Sequence, residues 1–132
     1  FPELDGRVSI EESAPLMVHA DRTRVAQIVG NLVGNALKYT PADTSIEISF
    51  APGDPIEVRV RDHGPGIAAD EQERVFERFY RIEDPLTMRT GGSGLGLHIS
   101  RELARAMGGD VRLISSPGEG STFILQLRPE GN

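Results

Sequence analysis

A chain of 132 residues holds one domain with its own core and is too short for two ordinary ones. A net charge of −6 speaks against a general nucleic-acid binder, which usually carries a basic face. The lack of cysteine excludes disulfides, a thiolate nucleophile and cysteine-ligated zinc, and no apolar run is long enough for a membrane span or a signal segment.

Arg7 to Glu12 alternates through Val8 and Ile10 and predicts a half-buried strand. Ser13-Ala14-Pro15 breaks it, and Leu16 to His19 is a second short strand. Asp21 is a good N-cap for a helix running to Tyr39. Val25, Ile28, Val29, Leu32, Val33, Ala36 and Leu37 recur at helical spacing and form its core face. Arg24, Gln27, Asn31, Asn35 and Lys38 follow the same period as a polar stripe on the edge of that face. The stripe costs helix stability, because asparagine side chains compete for backbone hydrogen bonds and each of Gly30 and Gly34 costs about 1 kcal/mol relative to alanine. Asn31 and Asn35 stack two amide oxygens one turn apart, which suits a hard cation such as magnesium that keeps waters and phosphate oxygens as its other ligands. Lys38, the only lysine of the chain, continues the stripe toward a phosphate. The alternative is that both asparagines face solvent or cap a neighbouring loop.

Thr40-Pro41 ends the helix. Ile46, Ile48 and Phe50 alternate, Pro52-Gly53-Asp54-Pro55 turns, and Ile56, Val58 and Val60 alternate again, which predicts a β-hairpin. Its second strand runs into Asp62-His63-Gly64-Pro65-Gly66. This is a turn, or it is also a carboxylate on a pocket floor, with Gly64 and Gly66 letting a ligand approach the backbone. An ionised Asp62 only accepts hydrogen bonds and therefore suits an exocyclic amine such as that of adenine. Asp70 to Tyr80 predicts a short helix with Val75, Phe76 and Phe79 on one face, and Arg81 to Gly92 is a longish loop without period.

Gly91-Gly92-Ser93-Gly94-Leu95-Gly96-Leu97 stands directly ahead of a helical pattern from Leu97 to Met107. Such a loop offers unpaired N–H groups to a phosphate; the plain alternative is a flexible linker. The spacing fits neither a dinucleotide-binding fingerprint nor a Walker A loop. Met107-Gly108-Gly109-Asp110 closes the helix. Val111 to Leu113 and Phe123 to Leu127 are two more strands, joined by the turn Ser116-Pro117-Gly118-Glu119-Gly120.

In order and spacing these pieces resemble the ATP-binding catalytic domain of bacterial sensor histidine kinases, within the gyrase, Hsp90, histidine kinase and MutL superfamily. Asn31 to Tyr39 looks like its N box, Asp62 to Gly66 its G1 box, Val75 to Arg81 its F box and Gly92 to Leu97 its G2 box, while Gly118 to Phe123 matches its last glycine motif. The resemblance covers nearly all of residues 1–132. It implies a Bergerat-type α/β fold, a two-layer sandwich with a mixed sheet packed under three helices, which binds ATP and Mg2+. It implies that Asn35 coordinates magnesium and Asn31 assists. Lys38 and Tyr39 meet phosphates and the lid, Asp62 reads the adenine amine, and Gly66 permits its approach. Arg81 offers charge to the γ-phosphate, and Gly92, Gly94 and Gly96 shape the phosphate loop. Gly64, Ile67, Leu95 and Leu97 complete the nucleotide-contacting set, and Arg81 to Gly92 is the mobile ATP lid.

The resemblance further implies partners: a dimerising helical hairpin that carries the acceptor histidine, and a downstream response regulator. It implies no nucleic acid and no direct membrane contact by this domain, and a place on the cytoplasmic side of a membrane-anchored sensor. The chain opens on Phe1 rather than Met, as a piece of a longer protein would. His19, His63 and His98 sit in no acceptor-like context and read as structural or incidental. Three other functions share the fold. In a gyrase-type ATPase clamp a glutamate stands at the Asn31 position, and an amide cannot replace it as a base. A protein serine kinase of the anti-sigma type and an ATP-sensing module without transfer are the other two.

Overall fold

The computed structural model describes residues 8–10, 20–78 and 96–130. Five strands form one sheet: β1 (Val8–Ile10), β2 (Ile46–Ala51), β3 (Ile56–Asp62), β4 (Asp110–Ser115) and β5 (Ser121–Leu127), in the spatial order β1-β2-β3-β5-β4. β1 runs parallel to β2, and every other pairing is antiparallel, so the sheet is mixed. Among the described residues two α-helices, α1 (Arg22–Tyr39) and α2 (Gly96–Ala106), supply the second layer. The result is the expected two-layer sandwich.

The alternation of each strand decides which side becomes core. Ile46 and Ile48 of β2, Val58 and Val60 of β3 and Phe123, Leu125 and Leu127 of β5 are buried in one cluster with Ile28, Leu32, Val33 and Ala36 of α1. Val25, Val29 and Leu37, on the margin of the same helix face, are half-buried against it. Asp21 caps α1, its carboxylate accepting from the N–H groups of Thr23 at 2.9 Å and Arg24 at 3.2 Å. Such a cap contributes about 1 kcal/mol. At the other end the Thr40 hydroxyl donates to the Ala36 carbonyl at 2.6 Å, and Pro41 stops propagation.

The third helical element differs from the α-helix expected over Asp70 to Tyr80. Two successive 3-10 turns occupy its described part, Ala69–Glu71 and Arg74–Phe76. Val75 and Phe76, adjacent in sequence, are both buried. Between the two turns the Gln72 side-chain amide donates to the carbonyls of Ile67 and Ser115, each at 3.0 Å, and ties the segment to β4. Phe76 meets Phe123 edge-on, with centroids 6.2 Å apart. The second short strand expected from Leu16 to His19 lies outside the described residues.

Candidate functional site

The hairpin β2–β3 and the cross-strand pairing of β3 with β5 bring Asp62 to the end of the sheet, opposite Ile46 and Ser121. It points to the core side and is only 6% exposed. Its Oδ1 accepts from the N–H of Gly64 at 3.0 Å and the N–H of Ser121 at 3.1 Å. No hydrogen bond to Oδ2 is found among the described residues. Burial pushes the pKa of Asp62 up, and the two backbone N–H groups and the nearby His63 charge only partly offset it. One oxygen is thus fastened, and the other is left as an acceptor in a desolvated place. That is the arrangement an exocyclic amine requires.

The turn that follows is clamped from both sides. The His63 ring bonds the Glu47 carboxylate of β2 at 2.8 Å and 3.0 Å, a structural role of the kind the sequence suggests for it. The Gly118 N–H donates to the Pro65 carbonyl at 2.7 Å, and the Ile67 N–H donates to the Ser115 hydroxyl at 2.8 Å. The glycines serve this packing. A Cβ on Gly64 would come within 2.7 Å of the Thr40 methyl group. Gly66 has φ +76°, and a Cβ there would run into the Ser116 carbonyl. A Cβ on Gly120 would strike the Asp62 carbonyl. The sequence suggests ligand access as the reason for Gly64 and Gly66; the structure adds a nearer one, contact with the α1 terminus and with the β4–β5 turn.

On α1, the Asn31 amide nitrogen donates to the Ser100 hydroxyl of α2 at 3.1 Å. Ser100 is fully buried, so Asn31 ties the two helices together. The bond also orients its amide, leaving Oδ1 as the free end. Asn35 and Tyr39 are half-buried and Lys38 is exposed. None of these three side chains has a hydrogen bond or ion pair among the described residues. Two amide oxygens one turn apart fit a hard cation that retains waters and phosphate oxygens. Lys38 lies in the last turn, where the helix dipole also favours a cation. α2 is described from Gly96, with Leu97 half-buried against the core. The structure therefore brings Asn31 and α2 together directly, and Asp62 and Gly66 together in one clamped turn. Arg81, Gly92, Gly94 and Leu95, and the lid expected from Arg81 to Gly92, lie outside the described residues.

Two groups escape the sequence reading. Arg101 of α2 bridges Asp110 at 3.0 Å and Glu73 at 3.2 Å, and its guanidinium lies 4.3 Å from the Phe76 ring centre. Arg105 joins the same Asp110 at 3.1 Å. Burial works against both charges, and the pairing outweighs it: the pKa of Arg101 stands above its ordinary value and that of Asp110 below. The second group is the hydroxyl pair Ser115 and Ser121, 2.8 Å apart beside Asp62. Helical and strand periods carry no signal for either, because the partners are 9 and 59 positions apart in the contacts that matter.

Comparison with known proteins agrees with the fold. A family profile described as "Histidine kinase-, DNA gyrase B-, and HSP90-like ATPase" matches residues 20–131. The sensor-like histidine kinase SenX3 of Mycolicibacterium smegmatis is 44% identical over 126 residues, covering 93% of this chain and 33% of the relative. The aerobic respiration control sensor protein ArcB of Escherichia coli is 38% identical, covering 92% of this chain and 16% of its own length. The chain thus spans about a third or less of these curated relatives. Among solved structures, full-length ShkA in complex with AMPPNP superposes with a TM-score of 0.78 at 32% identity, covering 96% of this chain and 26% of that one. The family profile spans most of the chain, which belongs to the family of histidine kinase-, DNA gyrase B- and HSP90-like ATPases.

Proposed function

We propose that this domain binds Mg-ATP and donates the γ-phosphoryl group to a histidine on a separate dimerisation and phosphoacceptor domain in two-component signal transduction. The observation that carries the reading is Asp62: a buried carboxylate with one oxygen fixed by two backbone N–H groups and the other open. Adenine offers the amine that such an acceptor takes, and guanine presents a carbonyl at the same place. Asn35 and the free oxygen of Asn31 would hold the magnesium, and Lys38, Tyr39, Arg81 and the N–H groups of the glycine-rich loop would meet the phosphates. Bound magnesium supplies neutralisation of phosphate charge.

Phosphoryl transfer asks a protein chiefly for positioning and charge stabilisation. The bond from the γ-phosphorus to the bridging oxygen breaks, ADP leaves, and a bond to an imidazole nitrogen forms. The imidazole brings its own lone pair, so no carboxylate base is needed here. Asn31 fits that economy, because an amide bonded to Ser100 cannot deprotonate water. The same feature favours a kinase over a hydrolytic clamp. The acceptor hairpin, a response regulator that takes the phosphoryl group onward, and a membrane-anchored sensor with this domain on its cytoplasmic side complete the proposal. No helix among the described residues is long and apolar enough to cross a membrane.

The test is incubation with γ-labelled ATP and magnesium, with and without an acceptor hairpin supplied as a separate protein. The expected result is acid-labile label on the hairpin and none on this chain, with slow phosphate release. A misplacement of about 1 Å costs roughly 100-fold in such a transfer, and the His63 ring is held by Glu47. Acid-labile label on this chain alone, or rapid phosphate release, would overturn the reading.

A further inference from the structure

Asp62, Ser121 and Ser115 stand side by side at one level of three adjacent strands, β3, β5 and β4. Asp62 and Ser121 are directly paired, so their side chains share one face of the sheet, and each is 6% exposed. The hydrogens in this row can be assigned by counting. A serine hydroxyl has one hydrogen to donate and room for two to accept. Ser115 Oγ donates to the Gly120 carbonyl at 2.9 Å. It accepts from the Ile67 N–H at 2.8 Å. Its remaining contact is Ser121 Oγ at 2.8 Å, and with its own hydrogen spent, Ser121 must be the donor. Ser115 is thereby saturated. Ser121 has its hydrogen turned toward Ser115 and keeps only lone pairs for any other partner.

We propose that Ser115 is a specificity-determining positioning residue for base recognition. It reaches no ligand itself. By holding the Ser121 hydrogen it makes both neighbouring groups, Asp62 Oδ2 and Ser121 Oγ, acceptors without a donor. A base edge that offers an amine is satisfied there, and one that offers a carbonyl meets two repelling oxygens. The same hydroxyl fastens Ile67 and so the turn that carries Gly64, one of the two N–H groups aiming the Asp62 carboxylate. Gln72 supports the node from behind, donating to the carbonyls of Ile67 and Ser115. Orientation and sign of the base pocket thus meet in one side chain. The inference rests on the adenine-reading role of Asp62 proposed above.

The experiment measures dissociation constants for ATP and GTP, both with magnesium, by calorimetry in the parent, Ser115→Ala and Ser115→Thr. In the alanine variant the Ser121 hydrogen is released and can swing to a guanine carbonyl. The preference for ATP over GTP should fall about tenfold, the size of one net hydrogen bond. The threonine variant, which keeps the hydroxyl, should retain the parent preference. An unchanged ATP-to-GTP ratio in Ser115→Ala overturns the proposal, as does an equal loss of both nucleotides, which is what plain loosening of the turn would cause. A parent that binds ATP no better than GTP instead overturns the reading of Asp62 itself, before any variant is compared. Should the alanine variant not fold, Ser115→Cys keeps the shape with weaker hydrogen bonds and must lower the ratio in the same direction.

Discussion

Replacing Asp62 by asparagine changes one atom, and the surroundings dictate which one. The oxygen facing the Gly64 and Ser121 N–H groups must remain an acceptor, since both are donors at 3.0 Å and 3.1 Å. The new NH2 is therefore forced to the open side, where Oδ2 was. The pocket exchanges an acceptor for a donor. Against adenine this removes a charged hydrogen bond, about 1.5–3 kcal/mol, and sets donor against donor. The ATP dissociation constant should rise by roughly 10- to 150-fold. GTP, with a carbonyl at that position, should gain relative to ATP. The fold should not suffer. Burial holds the Asp62 pKa above its ordinary value, so the native state binds the proton more readily than the unfolded chain does. Folding stability therefore falls as pH rises from the unfolded pKa to the raised one, and the ionised side chain is a burden above that window. A neutral amide removes that burden. Calorimetric titration with both nucleotides and a thermal melt at neutral pH test the two halves separately. An asparagine variant with the parent's ATP-to-GTP ratio would show that Asp62 is a turn residue only.

Asn35→Ala should abolish most of the magnesium-dependent gain in ATP affinity at an unchanged melting temperature, because the half-buried side chain has no hydrogen bond among the described residues; titration with and without magnesium measures it, and equal gains in variant and parent refute the ligand role. Gly66→Ala should destabilise the fold itself by more than about 1 kcal/mol, since it combines a positive φ with a collision at Ser116; denaturant unfolding without nucleotide shows it, and an unchanged midpoint would return the glycine to ligand access alone. Arg101→Ala should cost about 1–3 kcal/mol, less than breaking a fully buried pair, because the pair is part-buried and Arg105 still neutralises Asp110. The parent should also lose stability as pH falls below the ordinary carboxylate range: the Asp110 pKa is lowered in the native state, so its contribution is present above the unfolded pKa and lost on protonation. The Arg101→Ala variant should show a shallower acid loss in melts from pH 7 to pH 3.

Sequence shows the architecture where a period reports burial and fails where contacts join distant positions. α1 is legible from cap to stop: Asp21 bonds the first turn as a capping aspartate does, and the residues at helical spacing, Ile28, Leu32, Val33 and Ala36, are the buried ones. The strands were legible for the same reason, their alternation matching the sides of the sheet. Over Asp70 to Tyr80 the apolar spacing predicts one helix, and its described part forms two tight turns instead, tied by the Gln72 side chain to Ile67 and Ser115, contacts that no period reports. At the site, Asp62 and Asn31 could be singled out because each violates a local preference: a carboxylate at a strand end bound for the core, an asparagine inside a helix. What could not be read is the reason they hold still. Ser100, which orients Asn31, is 69 positions away from it, and Ser121, which fixes Asp62, is 59 positions away. These supports are short polar residues in strands and helix flanks, indistinguishable by type from ordinary surface serines. The division follows from chemistry: a group that meets a ligand must be unusual for its place, whereas a group that aims it needs only a hydroxyl or a backbone N–H at the right distance. Ser100 does that work for Asn31 and Ser115 for the Ile67 turn with their hydroxyls, and Ser121 does it for Asp62 with its backbone N–H.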